Sequence, residues 1–87
     1  MKTFKDLEFR PHPYEKGVHA IIEFNNGYGA SIIKTPTTYG GASGLYELAV
    51  LKDDDICYTT PITNDVLGWL NEQEIDNILL DIQNLSN

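Results

Sequence analysis

Residues 18–24 (VHAIIEF) and 28–34 (YGASIIK) alternate in side-chain character with a period of two, and Asn25-Asn26-Gly27 joins them. Asn-Gly supplies the positive φ values of tight hairpin turns, and the flanking β-branched and aromatic residues favour extended chain. An antiparallel hairpin is therefore the unit around which the rest must be arranged. Val18, Ala20, Ile22 and Phe24 share the predicted core face of the first strand, opposite His19, Ile21 and Glu23. The return strand divides Tyr28, Ala30 and Ile32 from Gly29, Ser31 and Ile33.

A third alternating segment, residues 45–51, carries apolar groups on both faces: Leu45, Ala49 and Leu51 on one, Tyr46, Leu48 and Val50 on the other. Such two-sided burial predicts a central strand, or a sheet covered on both faces over part of its area. Asp53, Asp54 and Asp55 suit a turn, after which residues 56–60 (ICYTT) would pair back as a last strand before Pro61. These connections are too short for a crossover helix, so the order is antiparallel. Near the N-terminus, residues 5–10 (KDLEFR) place Leu7 and Phe9 on one side, as a short edge strand ended by Pro11 and Pro13 would.

The remainder reads as helical. Thr63 or Asn64 can cap a short helix over residues 65–70, in which Trp69 is expected at the core or its edge. Gly68 would mark either a close approach of that backbone to the sheet or a bend. Asn71, with Glu74 three residues later, forms a capping-box pattern for a second helix. Ile75, Ile78, Leu79, Ile82 and Leu85 follow on one stripe with helical periodicity. The expected fold is thus a single α+β domain over residues 1–87: an antiparallel β-meander of about four strands, with a fifth N-terminal edge strand allowed, packed against one or two C-terminal helices. Residues 1–16 would be an edge strand or extended arm, residues 17–60 the sheet, and residues 63–85 the helical segment.

Between the second and third strands lie ten residues, 35–44 (TPTTYGGASG), where a hairpin needs two to five. Extra loop length costs little closure entropy and exposes backbone and an aromatic ring, so function is sought here first. Three readings compete. The loop could be a structured connection held by Tyr39 packing on the sheet. It could be a protein-binding loop in which Tyr39 is the anchor and Thr35, Thr37, Thr38 and Ser43 supply adaptable hydrogen bonds, with Gly40 and Gly41 shaping the backbone. Or the amides of residues 40–44 could cradle an anion, although the lysine and following helix of a mononucleotide-binding loop are missing.

The charge is strongly asymmetric. The whole chain carries −7, residues 1–16 carry +1, and residues 17–87 carry −8. Such acidity argues against direct nucleic-acid binding and suits a basic partner surface or solubility. Asp53, Asp54 and Asp55 form a solvated acidic tip rather than a calcium loop, whose spacing and closing glutamate are absent. The single cysteine, Cys57, is expected as a small buried or half-buried thiol; with only His12 and His19 beside it in the composition, it makes no zinc pattern. Glu47 is the one carboxylate inside a strongly apolar strand, and cross-strand pairing with Lys34 or His19, or a solvent-facing gap, is its ordinary explanation. No catalytic serine elbow or Cys–His pair with an orienting group is evident, so neither an enzyme nor a cofactor is expected. Residues 1–16 are charged throughout, and glycines and a proline interrupt the longest uncharged stretch, so no signal peptide or membrane span is predicted.

Tyr39-Gly40-Gly41, the segment GLYELAVL from Gly44, Cys57-Tyr58, and TPITNDV from Thr60 together resemble a family of small bacteriophage and prophage proteins with a YGG, GLYELAVL, CYxTPIT(N/D)DV pattern. The resemblance covers residue 26 to about residue 85 and implies an accessory protein in the cytoplasm of a bacterial host. It supplies no catalytic residue or substrate. The functional expectation is non-catalytic protein–protein interaction with a host or phage protein, modulating a host factor, through Thr37, Thr38, Tyr39, Gly40, Gly41, Ser43, Asp53, Asp54 and Asp55. Alternatives are an acidic nucleic-acid mimic that inhibits a host defence or transcription protein, and a small nucleotide- or metabolite-binding module. Homo-oligomerisation through an open strand edge is compatible with each.

Overall fold

The computed structural model describes residues 1–63 and 65–86. Its strands are β1 (Arg10–Pro11), β2 (Val18–Glu23), β3 (Tyr28–Lys34), β4 (Tyr46–Lys52), β5 (Asp55–Ile56) and β6 (Leu67–Leu70), followed by one helix, α1 (Glu72–Gln83). All pairings are antiparallel, in the order β1-β2-β3-β4, and β4 then uses its far side twice. β5 pairs there at Leu51 and Lys52, and β6 at Tyr46 and Leu48. This is the expected α+β meander on a C-terminal helix, with β4 as the central strand that its two apolar faces predict.

The register puts Ile22 opposite Ala30 and Ala30 opposite Val50, and Ile32 opposite Leu48. These residues face α1, whose Ile75, Leu79 and Ile82 complete a core in which Ile32, Leu48, Val50 and the three helical side chains are fully buried. Ile78 and Leu85 pack on its margin. Asn71 caps α1 as its sequence pattern predicts: its side chain accepts from Glu74 N at 2.8 Å, and Asn71 N donates to Glu74 Oε1 at 3.0 Å.

Three expectations are corrected. Residues 65–70 are not a helix: Leu67–Leu70 is a strand, because the open side of β4 offers backbone partners that a single isolated turn would lack. The cap expected at Asn64 lies outside the described residues. The last strand of the meander is two residues long rather than five. Cys57 N still donates to Val50 O at 2.8 Å, but further on the Thr60 hydroxyl accepts from the amides of Ile62 and Thr63 and holds the chain in a bend around Pro61. Near the N-terminus the strand is Arg10–Pro11, and Phe4–Asp6 form a 3₁₀ turn held by Thr3 and Asp6. A two-residue edge strand tolerates Pro11, whose missing amide faces no partner.

The N-terminal arm is bound to the helix. Phe4 N donates to Asp76 Oδ1 at 2.6 Å, Lys2 N to Gln83 Oε1 at 2.9 Å, and Gln83 Nε2 to Lys2 O at 2.8 Å. Phe4, Phe9 and Tyr46 form an aromatic cluster with ring centres 5.4–5.6 Å apart. At the other end of the core, the Asn26 side-chain amide fans across the last carbonyls of the helical segment, donating to Ile82 O at 2.9 Å, Leu85 O at 3.1 Å and Gln83 O at 3.3 Å. The β2–β3 turn thereby supplies the C-terminal cap that α1 has no glycine to make. Replacing Asn26 by alanine removes the donor these carbonyls share, leaving, among the described residues, only Ile82 O with a backbone partner, Leu85 N, and is expected to lower stability by about 1–2 kcal/mol. Urea denaturation measures this, and an unchanged midpoint with an unchanged slope would contradict it.

Candidate functional site

The loop of residues 35–44 is folded on itself. Buried Thr35 is its hub: its amide donates to Thr38 Oγ1 at 3.0 Å, its carbonyl accepts from Thr38 Oγ1 at 3.0 Å and Thr38 N at 3.3 Å, and its hydroxyl meets that of Thr37 at 3.2 Å. The Thr37 hydroxyl in turn donates to the Glu15 carboxylate at 2.9 and 3.1 Å, tying the loop to the segment before β2. The Thr35 and Thr37 hydroxyls together hold the Glu15 carboxyl below its ordinary range. Residues 41–43 make one 3₁₀ turn. The amides of Gly41, Ser43, Gly44 and Leu45 donate to carbonyls of Thr38, Gly40, Gly41 and Gly40 at 2.9–3.0 Å. Those amides are committed inside the loop, which weighs against an anion cradle.

What the loop presents is Tyr39, 61% exposed. Its position is fixed by β6. Trp69 N donates to Tyr39 O at 3.1 Å, and Gly68 leaves room for the Tyr39 Cβ, with which any side chain at position 68 would collide. Gly40, at φ +87°, lies against the Trp69 backbone, where an added Cβ would come within 2.8 Å of Trp69 Cα. The close approach expected at Gly68 is therefore real, but its partner is the loop rather than the sheet.

Trp69 overturns its expectation most clearly. It is 60% exposed, not core, and its φ is +58°. The cause is a bulge: Tyr46 pairs with Leu70 and Leu48 with Leu67, so the two residues between, Gly68 and Trp69, oppose the single residue Glu47. Leu67 and Leu70 point to the helix-covered core, and the bulge turns Trp69 to the other face. A positive φ is an outlier for a bulky side chain and costs stability that the surrounding contacts must supply. No periodicity signal flags such a residue; the Gly-Trp dipeptide inside an apolar run is the only hint.

Glu47 stands opposite this bulge, half-buried, and neither expected partner reaches it. Lys34 Nζ lies 4.9 Å from the Tyr46 ring centre on the helix side, and the His19 ring packs 5.6 Å from that of His12. Burial, reinforced by the nearby Asp65 carboxylate, pushes the Glu47 carboxyl above its ordinary range. The acidic tip behaves similarly. Asp53 and Asp54 take positive φ values of 52° and 70° as the two central residues of the β4–β5 turn, and all three aspartates are exposed, as expected. A hydrogen bond and repulsion from Asp54 push the Glu23 carboxyl up across the sheet. The tip and the loop do not form one site. The tip adjoins Glu23 at one end of the strands, and the loop adjoins Glu47 at the other.

Cys57 is half-buried, with its sulfur 3.5 Å from the Thr59 hydroxyl. Among the described residues no group of three or more His, Cys, Asp or Glu side chains could hold a metal ion, and no helix is long and apolar enough to cross a membrane. Neither protein-family models, nor curated proteins, nor solved structures gave a match to the chain.

Two outcomes test this geometry. Because the backbone at position 69 favours glycine, Trp69→Gly is expected to be about 1 kcal/mol more stable than Trp69→Ala, the reverse of the usual order inside a strand. Thermal denaturation of the pair decides it, and an alanine variant at least as stable would contradict the bulge. Glu47→Gln should raise stability at neutral pH by less than about 1 kcal/mol, the limit set by solvent screening. A raised carboxyl pKa means stability fully present below the unfolded pKa and lost as pH rises through the folded one, so the gain should vanish in acid. An equal gain at both pH values would contradict the assignment.

Proposed function

We propose that this chain is a small acidic accessory protein of the phage type, acting by non-catalytic binding to another protein through the Tyr39–Trp69 corner. The observation that carries the reading is Trp69 itself. A tryptophan held largely in water, in a backbone conformation that disfavours it, does not serve the core, and such outliers gather at functional positions. Tyr39 stands beside it, fixed by a backbone hydrogen bond and by two glycines that permit close approach. Two aromatic residues on a fixed backbone, with few rotatable side-chain bonds, lose little entropy on binding and are the usual anchors of protein interfaces.

The threonines and glycines of the loop have a supporting part in this reading. Thr35, Thr37, Thr38, Gly40 and Gly41 hold Tyr39 in place, so changes there would act through the position of the ring. Ser43 and the Asp53–Asp54–Asp55 tip lie outside the anchor. The phage-type resemblance supports a bacterial host as the setting and a host or phage protein as the partner.

Affinity purification of the tagged full chain from infected or prophage-bearing bacteria tests the proposal. A protein partner should be recovered with the native chain and lost with Trp69→Gly, and weakened about tenfold or more with Tyr39→Ala. Equal recovery with the native chain and Trp69→Gly would overturn it.

A further inference from the structure

α1 covers one face of the sheet, and no helix of the described residues covers the other. The uncovered face can be read from the register. Ile21 lies opposite Ser31 and Ser31 opposite Ala49, in a row between Glu23–Gly29–Leu51 on one side and His19–Ile33–Glu47 on the other. The middle of β3 and β4 is thus floored by small side chains, while Ile21, 61% exposed, and Trp69, 60% exposed, rise at opposite margins. A shallow apolar trough flanked by taller walls is the shape that accepts a helix on a sheet.

The charges of the domain are divided between its faces. Lys34 and Lys52, the two lysines of residues 17–87, both lie on the helix-covered side, over the rings of Tyr46 and Tyr28 at 4.9 and 5.0 Å. The trough is left with a carboxylate at each end of its diagonal, Glu23 beside Asp54 and Glu47 beside Asp65; Asp54 pushes the Glu23 carboxyl up, and burial, with Asp65 adding to it, does the same to Glu47. On the strands of this face the basic groups Arg10 and His19 are confined to the β1 corner. A second copy of the chain would bring like charges together in the trough, whereas a cationic partner relieves both pairs.

We infer that the uncovered face is a docking groove for a basic amphipathic helix of the partner protein, continuous with the Tyr39–Trp69 corner. The inference rests on reading that corner as a protein-binding site, and it adds the partner's chemistry. The strand and register spacings put Glu23 and Glu47 about 16 Å apart along the diagonal, which is about three helical turns. The partner helix therefore presents an apolar stripe to Ile21 and Ile33, over the nearly buried Ala49, and Lys or Arg about three turns apart to Glu23 and Glu47.

The test titrates isotope-labelled full chain with a synthetic amphipathic leucine/lysine helix, and with its leucine/glutamate counterpart as control. Expected are amide shifts centred on Ile21, Ser31, Ile33 and Ala49, weaker binding at high salt, and at least about tenfold loss with Ile21→Glu, an exposed position whose change leaves the core intact. Shifts centred on α1 or on the Asp53–Asp54–Asp55 tip, equal binding of the acidic peptide, or a dimer of the native chain that Ile21→Glu dissociates would each overturn the inference. Binding that Trp69→Gly abolishes and Ile21→Glu leaves unchanged would also overturn the groove while leaving the aromatic corner as the interaction site. Recovery of the cellular partner by Trp69→Gly would remove the corner instead.

Discussion

Every other element takes its place from β4. One side of this strand is fully occupied by β3, and the other is divided between β5 at its end and β6 at its start. Its inward side chains, Leu48 and Val50, are completely buried against α1, and Ala49 and Leu51 on the opposite face are nearly so. A strand satisfied on both edges and buried on both faces has one register available, because a slip of one residue would exchange its two faces. The long loop is part of this arrangement. β3 and β4 are neighbours, and residues 35–44, more than a tight hairpin needs, fill the corner beside β6, where Tyr39 O accepts from Trp69 N.

That meeting explains which parts of the molecule are legible in the sequence. The alternation of β2, β3 and β4, the Asn-Gly turn, the Asn71–Glu74 cap and the stripe of α1 are local signals, and each element forms where its signal lies. β6 hides because its bulge changes the period. One extra residue makes Leu67 and Leu70 face the core three positions apart, which is the spacing of a helix and not of a strand. The same extra residue turns Trp69 outward, so the helical reading and the core assignment of the tryptophan fail together. The N-terminal segment misleads for a related reason. The i, i+2 spacing of Leu7 and Phe9 imitates a strand, while the 3₁₀ turn before them, closed locally by Thr3 and Asp6, is docked by Phe4 N on Asp76 of α1, far away in sequence.

The candidate site was legible in part. Residues 35–44 stood out by length, and Tyr39 by being the aromatic group within them. Its companion Trp69 is thirty positions away and is joined to it by a backbone bond and by two glycines whose missing side chains no pattern explains in isolation. The acidic tip, in contrast, was conspicuous in sequence and lies apart from this corner. The division of charge between the faces was not readable from composition either. It requires the register that places Lys34 and Lys52 over tyrosines on one side and leaves Glu23 and Glu47 on the other.

Trp69 is the only tryptophan in the chain, so its fluorescence reports on the central claim without any substitution. In the folded protein its emission should lie close to that of the unfolded chain and be readily quenched by a soluble quencher, with a shift to shorter wavelength when the partner binds. Blue-shifted emission that resists quenching in the free, folded protein would place this side chain in the core and contradict the account.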